Sequence, residues 1–479
     1  MIAVLITVAH ILLAIGVSAH IILTKDDVRS AIGWVGLVWL APVLGSILYI
    51  VLGVNRISRP AGAMRGRGPL RDEDRAQVVR TGTALVPAHV LPPDASESLH
   101  AIARVVGALT RKPLTAGCAI DPLLNGDEAY PAMIAAIDAA TQSVGMATYI
   151  FDRGVAGQMF VDALARAVAR GVAVRVLIDG VGALYSHPPI VHDLRAHHIP
   201  VARFLPSVIP MPHPYFNLRN HRKLLVIDGR VGFCGGLNVR DACLLARHSP
   251  DATQDIHFRV RGPVVGQLLS AFRFDWEFAT HEPLTGPAWT PDTDVAGSLV
   301  ARGIADGPDE DFETLLMTIL GGLAEARRSV RIVTPYFLPD APLIAALRVA
   351  ALRGVEVDIL LPEHGNLRLV QWAATAQLAQ VLSWGCRVYL SGPPFDHSKL
   401  LVIDNTWSLV GSHNWDPRSL RLNFEYDVEC YSADFAARLD AIIDAKIAAS
   451  RLLPLAELES RSILRRLRDG AAWLAQPYL

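Results

Sequence analysis

The sequence lacks two features that would point to common classes of protein: an excess of charge and paired cysteines. Its 479 residues include 45 lysines and arginines and 46 aspartates and glutamates, for a net charge of −1. Proteins that bind nucleic acid usually carry a basic field, so we do not expect nucleic acid as a partner. The five cysteines are scattered and form no Cys-x-x-Cys pair, which argues against a disulfide framework and favours thiols in a reducing compartment.

Charged side chains are also absent from residues 1–24, and a second apolar run covers residues 31–54. Each run is long enough to cross a hydrocarbon core of about 30 Å. Five arginines follow the second run, whereas the short turn between the runs has two basic residues, Lys25 and Arg29. This distribution predicts two transmembrane helices, with the rest of the chain in the cytoplasm. A cleaved signal peptide is the alternative, but no basic segment precedes the first run.

Two later stretches of the chain resemble each other. The first contains the helical pattern ALARAVARGV and then the β-rich run VAVRVLID, and the second contains LRVAALRGV and then EVDILLP. An almost identical octapeptide follows in each stretch, HRKLLVID from His221 and HSKLLVID from His397. Alternating helical and β-rich segments are typical of α/β folds with a largely buried sheet. The sequence therefore predicts two tandem α/β domains.

Changes in composition divide the chain into six predicted segments. We predict two transmembrane helices at residues 1–54, a cytoplasmic linker at 55–111, a first α/β domain at 112–285, a connector at 286–296, a second α/β domain at 297–450 and a C-terminal amphipathic tail at 451–479. The tail combines leucines with several arginines. An amphipathic helix that lies on anionic lipid and a plain solvated surface helix both fit this pattern.

The octapeptides each begin a longer motif, His-x-Lys-x4-Asp, which is followed at the same distance by two small residues and an asparagine. Because the LLVI run in each motif is apolar and partly β-branched, we expect a strand that presents the histidine and the lysine on one face. The residues of the first copy are His221, Lys223, Asp228, Gly235, Gly236 and Asn238, and those of the second are His397, Lys399, Asp404, Gly411, Ser412 and Asn414.

These residue types fit the chemistry of phosphodiesters. A phosphodiester anion repels nucleophiles, so a site that exchanges it needs positive charge and hydrogen-bond donors, which the two lysines, the two asparagines and Ser412 supply. One neutral imidazole can attack phosphorus to form a phosphohistidine, and the other can protonate the leaving alkoxide and later deprotonate an incoming alcohol. Lysine is no metal ligand and the sequence has no zinc-type cluster, so neither a metal nor another cofactor is expected.

The paired motifs are similar to the HKD motifs of the phospholipase D superfamily, and the similarity extends over about residues 112–450. This resemblance implies that a carboxylate well downstream of each motif orients each catalytic histidine. It assigns Glu425, in LNFEYD, to His397, and Asp255, in QDIHF, to His221. It also implies that Asp228 and Asp404, which belong to the catalytic motifs, hold the motif strands and loops more than they touch the substrate.

Within this superfamily the chain most resembles the bacterial cardiolipin synthases. The two-span N-terminus and the segments RNHRKLLVIDGRVGFCGGLN and FDHSKLLVIDNTWSLVGSHNWDPRSLRLNFE carry this resemblance. It implies phosphatidyl transfer between two phosphatidylglycerol molecules, with release of glycerol, by a multi-pass protein of the bacterial inner membrane. Membrane phospholipids are then the partners. By the same analogy we expect His221 to be the nucleophile and His397 the acid, although the motifs alone do not distinguish them.

Other interpretations stay open at this stage. A hydrolytic phospholipase D or another phosphatidyltransferase shares the same phosphohistidine step. A nuclease is disfavoured by the apolar N-terminus and the balanced charge, and a non-catalytic scaffold is disfavoured because both motifs are intact. Two departures concern substrate preference: Gly236 stands where the second copy has a serine, and DATQ precedes Asp255 where Trp-Arg is expected. Residues 208–216 form either an apolar lip of the site or a packed loop.

Overall fold

The computed structural model describes residues 2–25, 28–53, 90–91, 95–206, 218–308 and 313–476. The arginines that follow the second apolar run and the predicted lip at residues 208–216 lie outside these ranges. The described α-helices are α1 (Ile2–Thr24), α2 (Val28–Leu40), α3 (Pro42–Leu48), α4 (Glu97–Thr110), α5 (Asn125–Ala139), α6 (Val155–Ala169), α7 (Val191–Ala196), α8 (Val265–Thr280), α9 (Thr314–Glu325), α10 (Ala341–Leu352), α11 (Arg368–Leu382), α12 (Pro417–Arg421), α13 (Ala433–Ala448), α14 (Leu455–Glu459) and α15 (Ile463–Trp473).

The β-strands are short, and most of them are fully buried, as the continuous apolar runs in the sequence predict. They are β1 (Thr115–Leu124), β2 (Ser143–Thr148), β3 (Ala173–Asp179), β4 (Val201–Phe204), β5 (Arg219–Asn220), β6 (Leu224–Ile227), β7 (Val231–Gly235), β8 (Thr253–Gln254), β9 (Ile256–Arg261), β10 (Leu299–Asp306), β11 (Ser329–Val333), β12 (Glu356–Pro362), β13 (Arg387–Ser391), β14 (Phe395–Asp396), β15 (Leu400–Ile403), β16 (Trp407–Gly411), β17 (Asn423–Tyr431) and β18 (Ser450–Leu452).

The N-terminal region contains one helix, α1, that is long and apolar enough to cross a membrane. The second predicted span is not one continuous helix, because α2 ends at Leu40 and α3 begins at Pro42. Proline has no N–H to donate and its ring clashes with the preceding turn, so it starts a new helix here instead of extending the old one. The pieces fold back on α1, where Tyr49 donates to or accepts from His20 Nδ1 at 2.9 Å.

Two halves of the same design share one large sheet. From its centre, the first half runs β1-β9-β7-β6-β2-β3-β4 and the second runs β10-β17-β16-β15-β11-β12-β13, with β18 added at the far edge. Strands β1 and β10 pair antiparallel and join the halves. The tandem duplication predicted from the sequence is therefore confirmed, and the two copies form one unit related by a pseudo-twofold axis.

The cores follow the same division. A central core packs α8 and α13 against one face of the sheet in both halves, and each half has an outer core of its own on the other face. Helix α4 lies in the segment predicted as a linker, yet it packs against α9 through Ile102, Ala103 and Val106 in the outer core of the second half. The spacing of these three residues puts them on one face of the helix, which explains the packing.

Candidate active site

Strands β6 and β15 form where the LLVI runs predict them, but each begins one residue after the motif lysine, so the histidines and lysines lie before these strands and not on them. Each histidine follows a two-residue strand that pairs with the opposite half of the molecule. Strand β5, before His221, pairs parallel with β17, and β14, before His397, pairs parallel with β8. The backbone N–H of His221 donates to the Phe424 carbonyl at 2.9 Å, and that of His397 donates to the Gln254 carbonyl at 2.8 Å.

Because of this pairing, the carboxylate that orients each histidine comes from the other half of the molecule. Nδ1 of His221 lies 2.9 Å from both carboxylate oxygens of Glu425, and Nδ1 of His397 lies 2.7 Å from Oδ2 of Asp255. The assignment of Glu425 to His397 and of Asp255 to His221 was therefore wrong, although the four residues were found. In a parallel pair the residue after one strand lies beside the residue after its partner, so each carboxylate meets the histidine of the other half.

Each histidine is thus held through Nδ1, and Nε2 is the nitrogen that is left for chemistry. A carboxylate that accepts the Nδ1 proton fixes the neutral tautomer with its lone pair on Nε2. Burial lowers the pKa of His397 to about 4, helped by Lys399 and opposed by Asp255. Burial also lowers the pKa of His221, and Glu425 opposes that shift. Both shifts favour the neutral form of the rings.

Glu425 is ionised despite its complete burial. Burial alone would raise the pKa of this carboxyl, but His221, Lys223 and the Ser412 hydroxyl together lower it to about 2. The Asp255 carboxyl is also held below its usual pKa, because Lys399 and His397 outweigh the effect of burial. Each histidine therefore has a permanently charged hydrogen-bond acceptor behind it.

The two lysines lie beside their own histidines. Lys223 Nζ donates to the His221 carbonyl at 2.7 Å, and Lys399 Nζ donates to the His397 carbonyl and lies 3.0 Å from its Nδ1. Burial lowers the pKa of Lys223 to about 7 and that of Lys399 to about 8, with Glu425 and Asp255 limiting both shifts. A bound phosphodiester anion would favour the charged form of both amines.

The polar residues after the two motif strands have different contacts. The Asn238 side-chain carbonyl accepts from the Ile150 N–H at 3.0 Å, and the Asn414 amide donates to Ser419 Oγ at 3.2 Å. Ser412 was predicted to bind the substrate phosphate, but its hydroxyl donates to Glu425 Oε2 at 2.6 Å. In this structure Ser412 therefore supports the carboxylate that holds His221.

Gly236 is explained by the carboxylate of its own half. A Cβ at this position would lie 2.3 Å from Asp255 Oδ1, which is far inside van der Waals contact. The second half instead places the Ser412 hydroxyl against Glu425. The Gly-for-Ser departure noted in the sequence thus makes room for Asp255.

Asp228 and Asp404 lie at the opposite ends of β6 and β15 from the histidines, in the turns that follow these strands. The Asp228 carboxylate accepts from the backbone N–H groups of residues 141–143, and the Asp404 carboxylate accepts from those of residues 327–329. Their contacts tie each motif hairpin to the start of the neighbouring strand. These contacts agree with the structural role that the family resemblance implies for the two aspartates.

Two tyrosines that sequence reasoning missed lie against the histidines. The ring centroid of Tyr149 is 5.2 Å from that of His221, and Tyr336 is 6.2 Å from His397, both edge-on. Lys223 Nζ also lies 5.6 Å from the Tyr149 ring centroid. The repeat carried a signal, since TYIF at the end of β2 and TPYF after β11 align, although the two tyrosines are offset by one residue.

Two carboxylate-held histidines with two lysines, gathered at the junction of two matching halves, form a phosphodiester-transfer site of the phospholipase D type. Within the described ranges, no three His, Cys, Asp or Glu side chains come together in a way that could hold a metal ion. This geometry defines the class of the protein as a phosphatidyltransferase-like phosphodiester enzyme.

Comparisons with known proteins identify the family. The family model described as "Cardiolipin synthase, PLD-like domain" matches residues 133–276 and 319–447. The major cardiolipin synthase ClsA of Bacillus subtilis is 30% identical over 486 residues, covering 98% of this chain and 98% of that protein. Cardiolipin synthase A of Pseudomonas putida strain GB-1 is 31% identical and covers 98% of this chain and 96% of that protein. The chain belongs to the cardiolipin synthase family of phospholipase D-like phosphatidyltransferases.

A solved structure supports the fold independently. The crystal structure of phosphatidylserine synthase from Haemophilus influenzae Rd KW20 matches with a TM-score of 0.62 and 15% identity. The match covers 80% of this chain and all of that one. At this identity the likeness concerns the two-domain architecture alone.

Proposed function

We propose that the protein is a cardiolipin synthase that transfers a phosphatidyl group from one phosphatidylglycerol to another, giving cardiolipin and glycerol. The observation that carries the proposal is the pair of histidines at the junction of the halves, each held through Nδ1 by a buried carboxylate. Such a pair suits a two-step exchange, in which one ring forms a covalent intermediate and the other moves the proton. The similarity to cardiolipin synthases over nearly the whole chain supports the lipid substrate.

In the first step, Nε2 of His221 attacks the phosphorus of the donor. The P–N bond forms, the P–O bond to the glycerol headgroup breaks, and His397 gives its proton to the leaving oxygen. For this step His397 must be protonated. Burial lowers the pKa of this histidine, and the negative charge of a bound phosphodiester raises it again. Lys223, Lys399, Asn238 and Asn414 hold the non-bridging oxygens.

In the second step, a hydroxyl of the acceptor's glycerol gives its proton to His397 and attacks phosphorus. The new P–O bond forms, the P–N bond breaks, and both histidines return to their starting states. Bonds of the same kind are exchanged, so the reaction needs no nucleotide. Glu425 and Asp255 keep the rings oriented and stabilise the positive charge that each ring acquires.

We further propose that α1 and the pair α2–α3 form a two-span hairpin in the bacterial inner membrane, with the catalytic halves in the cytoplasm. Helix α1 has the length and composition of a span. The packing of Ala14 and Ile21 against Val38 and Tyr49 supports a hairpin. The break before Pro42 is tolerated in a membrane when neighbouring groups satisfy the freed backbone carbonyl.

Product analysis tests the function. The purified full-length protein in detergent is given phosphatidylglycerol, and the products are measured by mass spectrometry. We expect cardiolipin and glycerol in equal amounts, whereas phosphatidic acid as the sole lipid product would contradict the proposal and favour a hydrolase. The variants His221→Ala and His397→Ala should lose all turnover, and the exposed His197→Ala should keep it.

A further inference from the structure

The C-terminal helix α15 buries a charged side chain and exposes its large apolar ones, which is the reverse of the usual arrangement on a soluble protein. Its buried residues are Asp469 and Ala472. Its large apolar residues face outward instead, with Leu464 at 76%, Leu467 at 62% and Leu474 at 74% exposure. Single exposed leucines are common on protein surfaces, but several on one helix face are not.

The inner face of α15 is fixed to the body by polar contacts. The Arg468 guanidinium stacks 4.4 Å above the Trp372 ring on α11. Asp469 accepts a hydrogen bond from Arg468 at 2.7 Å and forms an ion pair with Arg461 at 2.6 Å. Gln476 bonds to the Gln377 side chain of α11 at 2.7 Å. Because these contacts set the rotation of the helix, the outward leucines cannot turn inward without breaking them.

The outward residues form a continuous stripe. Leu464, Leu467, Ala471 and Leu474 follow one another at steps of three and four residues, which is the spacing of one helix face. Ile463, 65% exposed, extends the stripe at its N-terminal end. Arg465 and Arg466 are exposed beside this stripe, whereas Arg461 and Arg468 pair with Asp469.

We propose that α15 is an interfacial helix that lies on the surface of an anionic bilayer and docks the second half of the molecule onto it. An apolar stripe bordered by arginines matches the boundary between acyl chains and anionic headgroups. Helix α1, which is long and apolar enough to cross a membrane, indicates that a bilayer is the apolar surface available to this stripe. The inference does not depend on which phospholipid the enzyme converts.

The docked surface lies next to the candidate active site. Leu458 and Arg461, directly before α15, line a cavity of about 320 Å³ whose wall also includes Tyr336. Tyr336 packs edge-on against His397. Docking through α15 would therefore hold the His397 side of the site close to the lipid surface.

Lipid-borne quenching of a probe on α15 tests this docking in the full-length protein. The five native cysteines are buried, so a thiol-reactive fluorophore can be attached selectively to Leu467→Cys. The matched control is Leu352→Cys, which lies at the end of α10 and is 65% exposed. Both labelled proteins are reconstituted in nanodiscs of phosphatidylglycerol or phosphatidylcholine that contain a spin-labelled lipid.

We expect quenching in phosphatidylglycerol discs to be several-fold stronger at residue 467 than at residue 352, and to fall in phosphatidylcholine or high salt. Replacing Arg465 and Arg466 by glutamine should weaken docking roughly fivefold per arginine. Equal quenching at the two sites would overturn the proposal. A probe at residue 467 that is shielded from solvent but not quenched by lipid would also overturn it. Shielding that depends on the number of copies per disc would indicate a second copy of the protein. Shielding that persists in detergent would indicate residues 54–89.

Activity provides a second readout. The variant Leu467→Glu should lose turnover several-fold on bilayer substrate and keep it on detergent-solubilised substrate, because the helix makes no contact with the reacting groups. Equal turnover of the variant and the parent protein on bilayers would contradict a role of docking in catalysis. If no cardiolipin were formed at all, the proposed function would fail, yet the quenching result would still decide whether α15 docks.

Discussion

The two halves share their strand order and motif spacing, but each supports the histidine of the other in its own way. The second half gives His221 a glutamate with both oxygens within 2.9 Å, and Ser412 and Asn423 donate to that carboxylate at 2.6 and 3.1 Å. The first half gives His397 the shorter Asp255, which leaves no space for a side chain at residue 236. The two motifs have the same histidine, lysine and aspartate residues but different surroundings, and such a difference is needed if one histidine is the nucleophile and the other the acid.

The difference continues behind the motifs. His413 and Asp427 form a fully buried ion pair at 3.0 Å in the second half. By strand register, the place of Asp427 is taken in the first half by His257. Burial would lower the pKa of His413, but Asp427 and Glu425 raise it, whereas burial lowers the pKa of His257 to about 4. One half thus pairs a buried histidine with a buried carboxylate, where the other half has the His257 ring, whose pKa burial lowers.

Replacing either orienting carboxylate by an amide is expected to have the largest effect. It tests whether each half supports the histidine of the other half. Glu425→Gln and Asp255→Asn should each lower kcat by about 10³-fold or more, because the amide no longer fixes the correct histidine tautomer. With labelled phosphatidylglycerol, an alkaline quench and peptide mass spectrometry, phosphate on His221 should vanish in Glu425→Gln and persist in Asp255→Asn.

Loss of phosphate from His221 in Asp255→Asn but not in Glu425→Gln would instead support the pairing that the family resemblance implied, with each carboxylate on the histidine of its own half. Glu459→Gln, an exposed site, serves as the control and should leave kcat unchanged.

Gly236 and Ser412 occupy the same position in the two motifs, so exchanging their side chains tests whether each half needs its own residue there. Gly236→Ser would push its side chain into Asp255, and Ser412→Gly would remove a charge-assisted hydrogen bond to Glu425, so each should lower kcat by roughly tenfold or more. Steady-state kinetics on both variants measure this loss. Gly392→Ser meets no atom within 4 Å and should behave like the parent. A fully active Gly236→Ser would show that Asp255 does not need its present position.

The lysines predict a pH dependence of binding. With pKa values of about 7 for Lys223 and about 8 for Lys399, the empty site loses positive charge as the pH rises through this range. The Kd of an unreactive phosphodiester analogue should therefore increase roughly tenfold per pH unit between 7 and 8 and more steeply above 8. Titration at several pH values measures this slope, and a flat profile up to pH 9 would contradict the perturbed pKa values.

The two motif aspartates should have the smallest effect on chemistry and matching effects on stability. Asp228→Asn and Asp404→Asn each weaken hydrogen bonds to three backbone N–H groups, at a cost of about 1–3 kcal/mol. The folded pKa of Asp228 is lowered by those N–H groups although burial opposes them, so its stabilisation is present above the unfolded pKa and lost as the pH falls through the folded value. Denaturant unfolding of both variants at pH 7 measures this cost, and a large difference between the two halves would contradict it.

The sequence predicted the parts of this site better than their arrangement. The LLVI strands, the duplication and the two histidines could be found because apolar periodicity and motif spacing are local signals, whereas Glu425 and Asp255 were named only from the resemblance to the phospholipase D superfamily. The exchange of Glu425 and Asp255 could not be found, since it depends on β5 and β8, two-residue strands without a periodic pattern. The role of Ser412 also depends on three-dimensional packing, which overrides what composition alone indicates, whereas the break at Pro42 follows from a local property of proline.

The exchange has a consequence for the time at which the protein acquires its reactivity. The first half leaves the ribosome with His221 in place, but its carboxylate, Glu425, is synthesised 204 residues later. Until the second half folds and β17 pairs with β5, this histidine has no fixed tautomer and no charged support. A truncated or half-folded chain therefore lacks the geometry for phosphodiester transfer, and reactivity begins only with complete assembly.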